Sequence, residues 1–413
     1  MKTDIDSLMT RDQLDALWIT GSMAHNPDMV YFTGIHHVTK ADLFKIKGEP
    51  PILFIYADME REEAALSGLV VRVYDENRPL DVYLKKYGGD ASTALAARCA
   101  EVIQELGLCR GRMAVSGMSE VGIFKALLDK IKPMLPELNF IGYYKDSPIE
   151  KARMTKDAHE IERIRQMGRL TTQVIARTAD FLTSRQVKDS QLLDEDGSPL
   201  RIAQVKQHIR LWLAELGMDN PEETIFSIGR DAGIPHNLGN PQDIITTGAP
   251  IIFDIFPCEA GGGYFYDITR TWCLGDAPQD VALLHQQVKS VYDKIIGSLK
   301  PNVPFRDYQD RTCELFSGLG HTTIQDDYTA KEGYIHSLGH GIGLNVHETP
   351  FCGIASSPDE RLLPGAVFTI EPGLYYPSRN MGVRIEDSLA VLPDGEIEIL
   401  APYPYDLVLP MRG

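Results

Sequence analysis

Four carboxylates sit inside stretches of chain whose other residues are suited to burial. IIFDIFP and YFYDITRTW carry Asp254 and Asp267, and TIEPG and VRIED carry Glu371 and Glu386. HSLGHGIGLNVHE, with His340, lies between the two pairs. The flanking residues are apolar, β-branched or aromatic, as in strands covered on both faces. A buried carboxylate is costly unless a counter-charge meets it. A salt bridge ordinarily accounts for one such acid. Four acids with an imidazole call for cations, and hard oxygen ligands plus one nitrogen suit Mn, Co, Fe or Zn. The chain must therefore bring two acidic hairpins together, and the pattern points to a two-metal hydrolase.

Register supports convergence. Direct pairing of Asp254 with Asp267 would set Pro257 opposite Tyr264 and leave CEAGGG, Cys258 to Gly263, as a Gly-rich turn. Paired residues project from one face of a sheet, so the two carboxylates meet. GLYYPSRNMG, rich in turn formers, lets Glu371 and Glu386 do the same. Period-two alternation puts Arg384 on the face of Glu386.

A length of 413 residues suits two domains or one large one. The net charge of −17 argues against nucleic acid and against an anionic membrane surface, because no basic stripe is available to meet phosphates. MKTDIDSLMT does not resemble a signal peptide, and no segment approaches the length of a membrane span. Six cysteines without close pairs fit neither a zinc knuckle nor a disulfide framework, so a reducing, cytoplasmic setting is expected.

The sequence divides near residue 150. Before it, LDALWITG, MVYFTGI, PILFIYA, VVRVYD and RMAVSG read as short buried strands alternating with helices such as Glu120 to Ile131. This predicts an α/β domain over residues 1–150. It has no phosphate-binding glycine loop, and His36 and His37 read as structural or surface residues. GYYKDSPIEKARM reads as a polar boundary. Over residues 151–413 the series runs helix from Thr155 to Thr183, helix to Gly217, acidic hairpin, helix before Pro301, helix from Phe305 to Gly318, acidic hairpin. SQLLDEDGSPL reads as an exposed loop. Helices and a hairpin, repeated, predict an α+β domain with a pseudo-twofold repeat and a curved antiparallel sheet holding the metals.

The succession GIPHN, FDIF, YDITRT, GHGIG, VHE, TIEPG and VRIED resembles the pita-bread metallopeptidases, the family of prolidase, aminopeptidase P, methionine aminopeptidase and creatinase. The motifs span about residues 229 to 390. The leading 150 residues look like the creatinase-like N-terminal domain of the two-domain Xaa-Pro peptidase branch. The resemblance implies a dinuclear site with Asp254, Asp267, His340, Glu371 and Glu386 as ligands, Asp267 and Glu386 bridging. It implies two divalent ions, manganese first, with cobalt, zinc or iron as alternatives. His236 and His347 correspond to histidines that contact the substrate or the tetrahedral intermediate. Such a centre activates water for attack on the carbonyl before proline, with Glu371 as proton acceptor and Arg384 balancing a bridging carboxylate. His336, in the same loop as His340, is either a support for the centre or a structural histidine. Short proline-containing peptides are the implied substrates and a homodimer the implied assembly, its leading domain walling off the partner's site.

Two departures matter. Asp267 lies 13 positions after Asp254, a residue or two more than the family usually shows, and the turn can absorb the difference. Many prolidase-like members carry arginine four positions after the histidine matched by His347. Phe351 stands there instead, and residues 348 to 360 contain no Lys or Arg. A carboxylate anchor for dipeptides is thus missing, and Phe351 or Tyr375 is expected to join His236 and His347 in an apolar wall against proline. Xaa-Pro aminopeptidase or dipeptidase activity leads. The alternatives are a non-peptide C–N hydrolase on the same fold and, behind it, a non-catalytic binding protein.

Overall fold

The computed structural model describes residues 4–357 and 359–412. The chain forms two compact units, Met1–Arg153 with Gly261–Gly263, and Met154–Ala260 with Tyr264–Gly413. The first unit ends after Arg153 because Pro148–Arg153 is a helix whose Ile149 and Ala152 pack into that unit's core. The stretch that reads as a polar boundary is therefore partly core.

The first unit is built on a six-stranded sheet of β1 (Ala16–Gly21), β2 (Ala41–Ile46), β3 (Ile52–Ile55), β4 (Val70–Val73), β5 (Arg110–Gly117) and β6 (Glu137–Ile141). Its order is β4-β3-β2-β1-β5-β6. Alternation along β1 sends Leu17 and Ile19 into one core and Ala16 and Trp18 into another. Helix Ile5–Arg11 contributes Ile5 and Met9 to the first core, and helix Ala91–Glu105 contributes Cys99, Val102 and Ile103 to the second. Both faces are thus covered, as an α/β domain requires. One expected strand is a helix. MVYFTGI falls in α1 (Pro27–Thr33), where Asn26 caps Met29 N–H, Pro27 occupies the first turn and Gly34, at φ 73°, stops the helix. Capping at both ends outweighs the apolar run.

The second unit opens with α2 (Ala158–Thr183), capped by Asp157 and Glu160 in a reciprocal box rather than by Thr155. Its stripe Ile161, Ile164, Gly168, Thr171, Ile175 and Leu182 is buried. A side chain at Gly168 would collide with Tyr266 and Ala401. SQLLDEDGSPL is more ordered than a loop, since Gln191–Leu192 pairs with Val187–Lys188 and Leu192 and Leu200 are buried. α3 (Ile202–Glu215) ends where Gly217 takes φ 71°.

Two sheets follow. The first comprises β7 (Ile225–Ile228), β8 (Pro250–Ile255), β9 (Ile268–Leu274) and a late strand, Val408–Leu409. α4 (Gln279–Ile296) and α5 (Arg306–Gly318) come next in the chain. The second sheet contains β10 (Gly339–Gly341), β11 (Glu348–Cys352), β12 (Val367–Ile370), β13 (Asp387–Val391) and Ile397–Ile399. Two helices thus precede each hairpin. The second hairpin breaks midway: Ile370 faces Asp387 and Gly373 faces Arg384, but the intervening Pro372 has no N–H to give the ladder. Glu386 N–H turns instead to Thr269 O at 3.1 Å, stitching this hairpin to β9. Among the described residues, no helix is long and apolar enough to cross a membrane.

Candidate metal centre

The first hairpin is offset from the expected register. Asp254 faces Thr269, not Asp267, and Pro257 accepts from Tyr266 N–H rather than facing Tyr264. The slip is two residues, so Asp254 and Asp267 stay on one face. In the second hairpin the register on either side of the break, continued inward, sets Glu371 opposite Glu386.

All five expected ligands are buried and line one cavity of about 190 Å³. Donor atoms of Asp267, His340 and Glu386 lie within 4.8 Å of one another. His340 Nε2 is 3.6 Å from Asp267 Oδ2 and 3.5 Å from Glu371 Oε1. Its Nδ1 sits 3.0 Å from the Gly341 carbonyl oxygen, which can only accept, so the proton is on Nδ1 and the Nε2 lone pair faces the acids. The glycines flanking His340 allow this. A Cβ on Gly339 would fall on the Thr369 carbonyl oxygen, and one on Gly341 on that of Thr349.

Hydroxyl groups hold the acids from behind. Thr269 Oγ1 donates to Glu386 Oε2 at 2.6 Å, Thr369 Oγ1 to Glu371 Oε1 at 3.4 Å, and Ser388 Oγ to the Asp267 carbonyl at 2.8 Å. Thr269 and Thr369 each lie two positions from an acid, so alternation was the signal that could have found them. Arg384 does not pair with Glu386. Its Nη2 donates to Asp254 Oδ2 at 2.5 Å, and Nε donates to Thr269 Oγ1. The cation thus balances an acid of the other hairpin, a link that the periodicity of neither hairpin contains.

Three carboxylate oxygens of this centre are buried without a hydrogen-bond partner: Asp254 Oδ1, Asp267 Oδ1 and Glu386 Oε1. Burial, then the charges of Glu386, Asp254 and Glu371, pushes Asp267 well above the carboxylate range. Burial, then Glu371 and Asp254, does the same to Glu386. Glu371 is raised to about 8 by burial and the Asp254 charge, against the pull of Arg384. Burial lowers His340 to about 3. Unsatisfied carboxylate oxygens around a neutral imidazole lone pair are the donor set a divalent cation requires. The residues fit a metal.

Three further histidines surround this centre. His236 and His347 line the cavity, and the His347 ring centroid is 4.3 Å from that of His340. His336 also belongs to it. Its Nε2 is 2.8 Å from His236 Nε2, and its Nδ1 is 2.9 Å from Ser337 O and 3.4 Å from Glu371 Oε2. Since Ser337 O only accepts, His336 carries its proton on Nδ1 and receives one from His236 Nε2–H. Burial lowers all three, with the Arg384 charge adding at His236 and His336, so they stand neutral. Phe351 does not line the cavity. It lies opposite His340 on β11 and is 41% exposed. The apolar lining comes from Ile225, Leu238, Phe256 and Val346, and Glu222 lines it too. None of these was singled out in the sequence: Ile225, Leu238 and Glu222 lie outside the quoted motifs, and Phe256 of FDIF and Val346 of VHE are their uncharged members.

The model of metallopeptidase family M24 matches residues 162–393, more than half of the chain and all four acids and the imidazole of the centre. The chain belongs to metallopeptidase family M24. This makes it a member of a divalent-metal-dependent family. Among curated relatives, a probable dipeptidase PepE of Mycobacterium bovis is 28% identical over 267 residues, 65% of this chain and 64% of that protein. The match therefore spans less than two thirds of that M24 relative's length. A dipeptidase from Pyrococcus horikoshii superposes with TM-score 0.74 at 22% identity, covering 98% of each chain. The X-Pro aminopeptidase of Thermotoga maritima gives 0.72 at 22% identity, covering 95% of this chain and 97% of that one. These likenesses show the fold, the two-domain α+β architecture of prolidase-type M24 proteins.

Proposed function

We propose that this M24 protein is a metal-dependent peptidase that cleaves the amide bond preceding proline in short peptides. The observation that carries this reading is the convergence of Asp254, Asp267, His340, Glu371 and Glu386, three of their carboxylate oxygens unpartnered, in one cavity also lined by neutral histidines. Those five residues would hold two divalent ions, manganese ahead of cobalt, zinc or iron, since oxygen donors dominate. Bound there, the ions supply Lewis-acid polarisation of the scissile carbonyl and lower the pKa of the attacking water.

The chain's own groups do the rest. Glu371 Oε2 faces the cavity beside His336 and accepts the proton of the attacking water, then releases it to the leaving nitrogen. His347 offers its ring N–H to the carbonyl oxygen as its charge grows, and His236 does so by exchanging its Nε2–H bond to His336 for one to the substrate. Arg384 fixes Asp254 and offsets the surplus of acids. An Xaa-Pro bond is a tertiary amide with no N–H. A site that recognises the carbonyl through histidines and the ring through Ile225, Leu238, Phe256 and Val346 needs no such donor. The names of the M24 relatives, dipeptidase and X-Pro aminopeptidase, agree with this. Residues 151–413 carry the catalysis and residues 1–150 restrict access, in a homodimer. Scattered free cysteines support a cytoplasmic setting.

The test is a metal-loaded assay against Xaa-Pro dipeptides, Xaa-Pro-Yaa tripeptides, Xaa-Ala controls and creatine-like amides. Tripeptides should be cleaved at least comparably to dipeptides, with Xaa-Ala much poorer. Failure on every proline peptide with metal bound, and turnover of an amide, would move the assignment to a non-peptide C–N hydrolase. Binding without turnover of anything would make it a binding protein.

A further inference from the structure

The charges lining the cavity point to a preference within that peptidase reading. Among the described residues, Arg384 is the only lysine or arginine lining the cavity. It is already occupied, donating to Asp254, Thr269, Tyr375 and the Pro235 carbonyl. Arg361, the first basic residue after His347 in the sequence, does not line the cavity and donates to the Asn302 carbonyl. The wall therefore offers, among the described residues, no lysine or arginine free to take a substrate carboxylate. Glu222 lines the same cavity with its side chain exposed, and no lysine or arginine pairs with it among the described residues. Its charge reaches the His347 ring. The other lining is apolar, at Ile225, Leu238, Phe256 and Val346. An unpaired carboxylate beside an apolar wall attracts a cation and repels an anion.

We infer that Glu222 receives a cationic group of the substrate, an N-terminal ammonium or a lysine or arginine side chain, and so sets the cavity's preference for positively charged short peptides. The inference rests on the peptidase reading only for the identity of the ligand.

Kinetics of the metal-loaded wild type and Glu222→Gln decide it, using Arg-Pro-Ala, Leu-Pro-Ala and the des-amino analogue of Leu-Pro-Ala. If the side chain is held, the kcat/KM ratio of Arg-Pro-Ala to Leu-Pro-Ala falls by about twofold to fivefold in the variant, within the range for an exposed ion pair. If the ammonium is held, the ratio of Leu-Pro-Ala to its des-amino analogue falls by a similar factor. Both ratios unchanged would overturn the inference. Should the wild type cleave none of these peptides, the peptidase reading fails separately. Calorimetric binding of arginine amide against uncharged hexanamide then decides, with the same fall expected in Glu222→Gln and an equal ratio in both proteins overturning it.

Discussion

Glu386 and Asp387 are consecutive residues, 1% and 0% exposed, whose carboxylates are provided for in opposite ways. Asp387 takes hydrogen bonds from Arg270 Nη2 at 2.8 Å, Tyr292 OH at 2.5 Å and Tyr405 OH at 2.8 Å. Arg270 in turn spends its remaining donors on the carbonyls of Thr269, Glu386, Tyr403 and Pro404. Every polar atom of this network has a partner, and its charges cancel within the chain. Glu386 has one hydroxyl partner and one bare oxygen, beside Asp267 with another. A complete buried network is a structural element, and an incomplete one leaves room for a ligand. The difference separates architecture from chemistry on two sides of a single strand.

The most direct way to break this comparison is to remove an acid from each side. Asp267→Ala or Glu386→Ala should abolish nearly all activity and lower metal content by elemental analysis, with the fold retained by circular dichroism. Four like charges lose one member, so the metal-free fold has less repulsion to bear. Wild-type turnover in stripped protein with chelator present throughout would remove the metal from the chemistry altogether. On the other side, Arg270→Ala leaves Asp387 buried with only two hydroxyls. It should cost about 3–5 kcal/mol in denaturant unfolding, the range for breaking a buried ion pair. Metal content per folded molecule should hold. If Arg270→Ala emptied the centre while barely changing stability, the two sides would not be separable.

His236 sharpens the comparison within the centre, because it lines the cavity but lies outside the acid cluster. His236→Ala should keep its metal and lose about 10²-fold in kcat, as for a positioned donor. Loss of metal in step with activity would reassign it as a ligand.

Much of the centre was legible in the sequence because β-structure repeats every two residues. The direct pairing expected for Asp254 and Asp267 was wrong by two residues, and the conclusion survived because a two-residue slip does not change face. A one-residue error would have inverted it. Pairing within a hairpin is local, so Glu371 and Glu386 could be matched from the turn between them. Contacts between hairpins are not local. Nothing in VRIED distinguishes an arginine that binds its neighbour from one that binds Asp254, or reveals that Asp387 meets Tyr292 and Tyr405. In the first unit, the apolar run MVYFTGI read as a strand although Asn26, Pro27 and Gly34 carry the signals that make it a helix. His336 could not be placed because its role depends on His236, 100 positions away.

The smallest expected effect lies beside the complete network and reports its response to acid. His285 on α4 is lowered to about 4 by burial, with the Lys289 and Arg270 charges adding to it. The folded state therefore keeps this imidazole neutral, whereas the unfolded chain protonates it near 6.5. Its contribution to stability is full above pH 6.5, is lost as pH falls through the folded value near 4, and levels off below it. After allowance for its partial exposure, the span amounts to about 2 kcal/mol. Acid also weakens metal binding, so the wild-type slope alone mixes the two regions. Subtracting the slope of His285→Gln isolates the network side, since glutamine does not titrate and the metal contribution is common to both. Urea unfolding at pH 7.0 and 5.0 should show the variant losing less stability than the wild type. Parallel slopes would mean that His285 contributes nothing to the acid response of this protein.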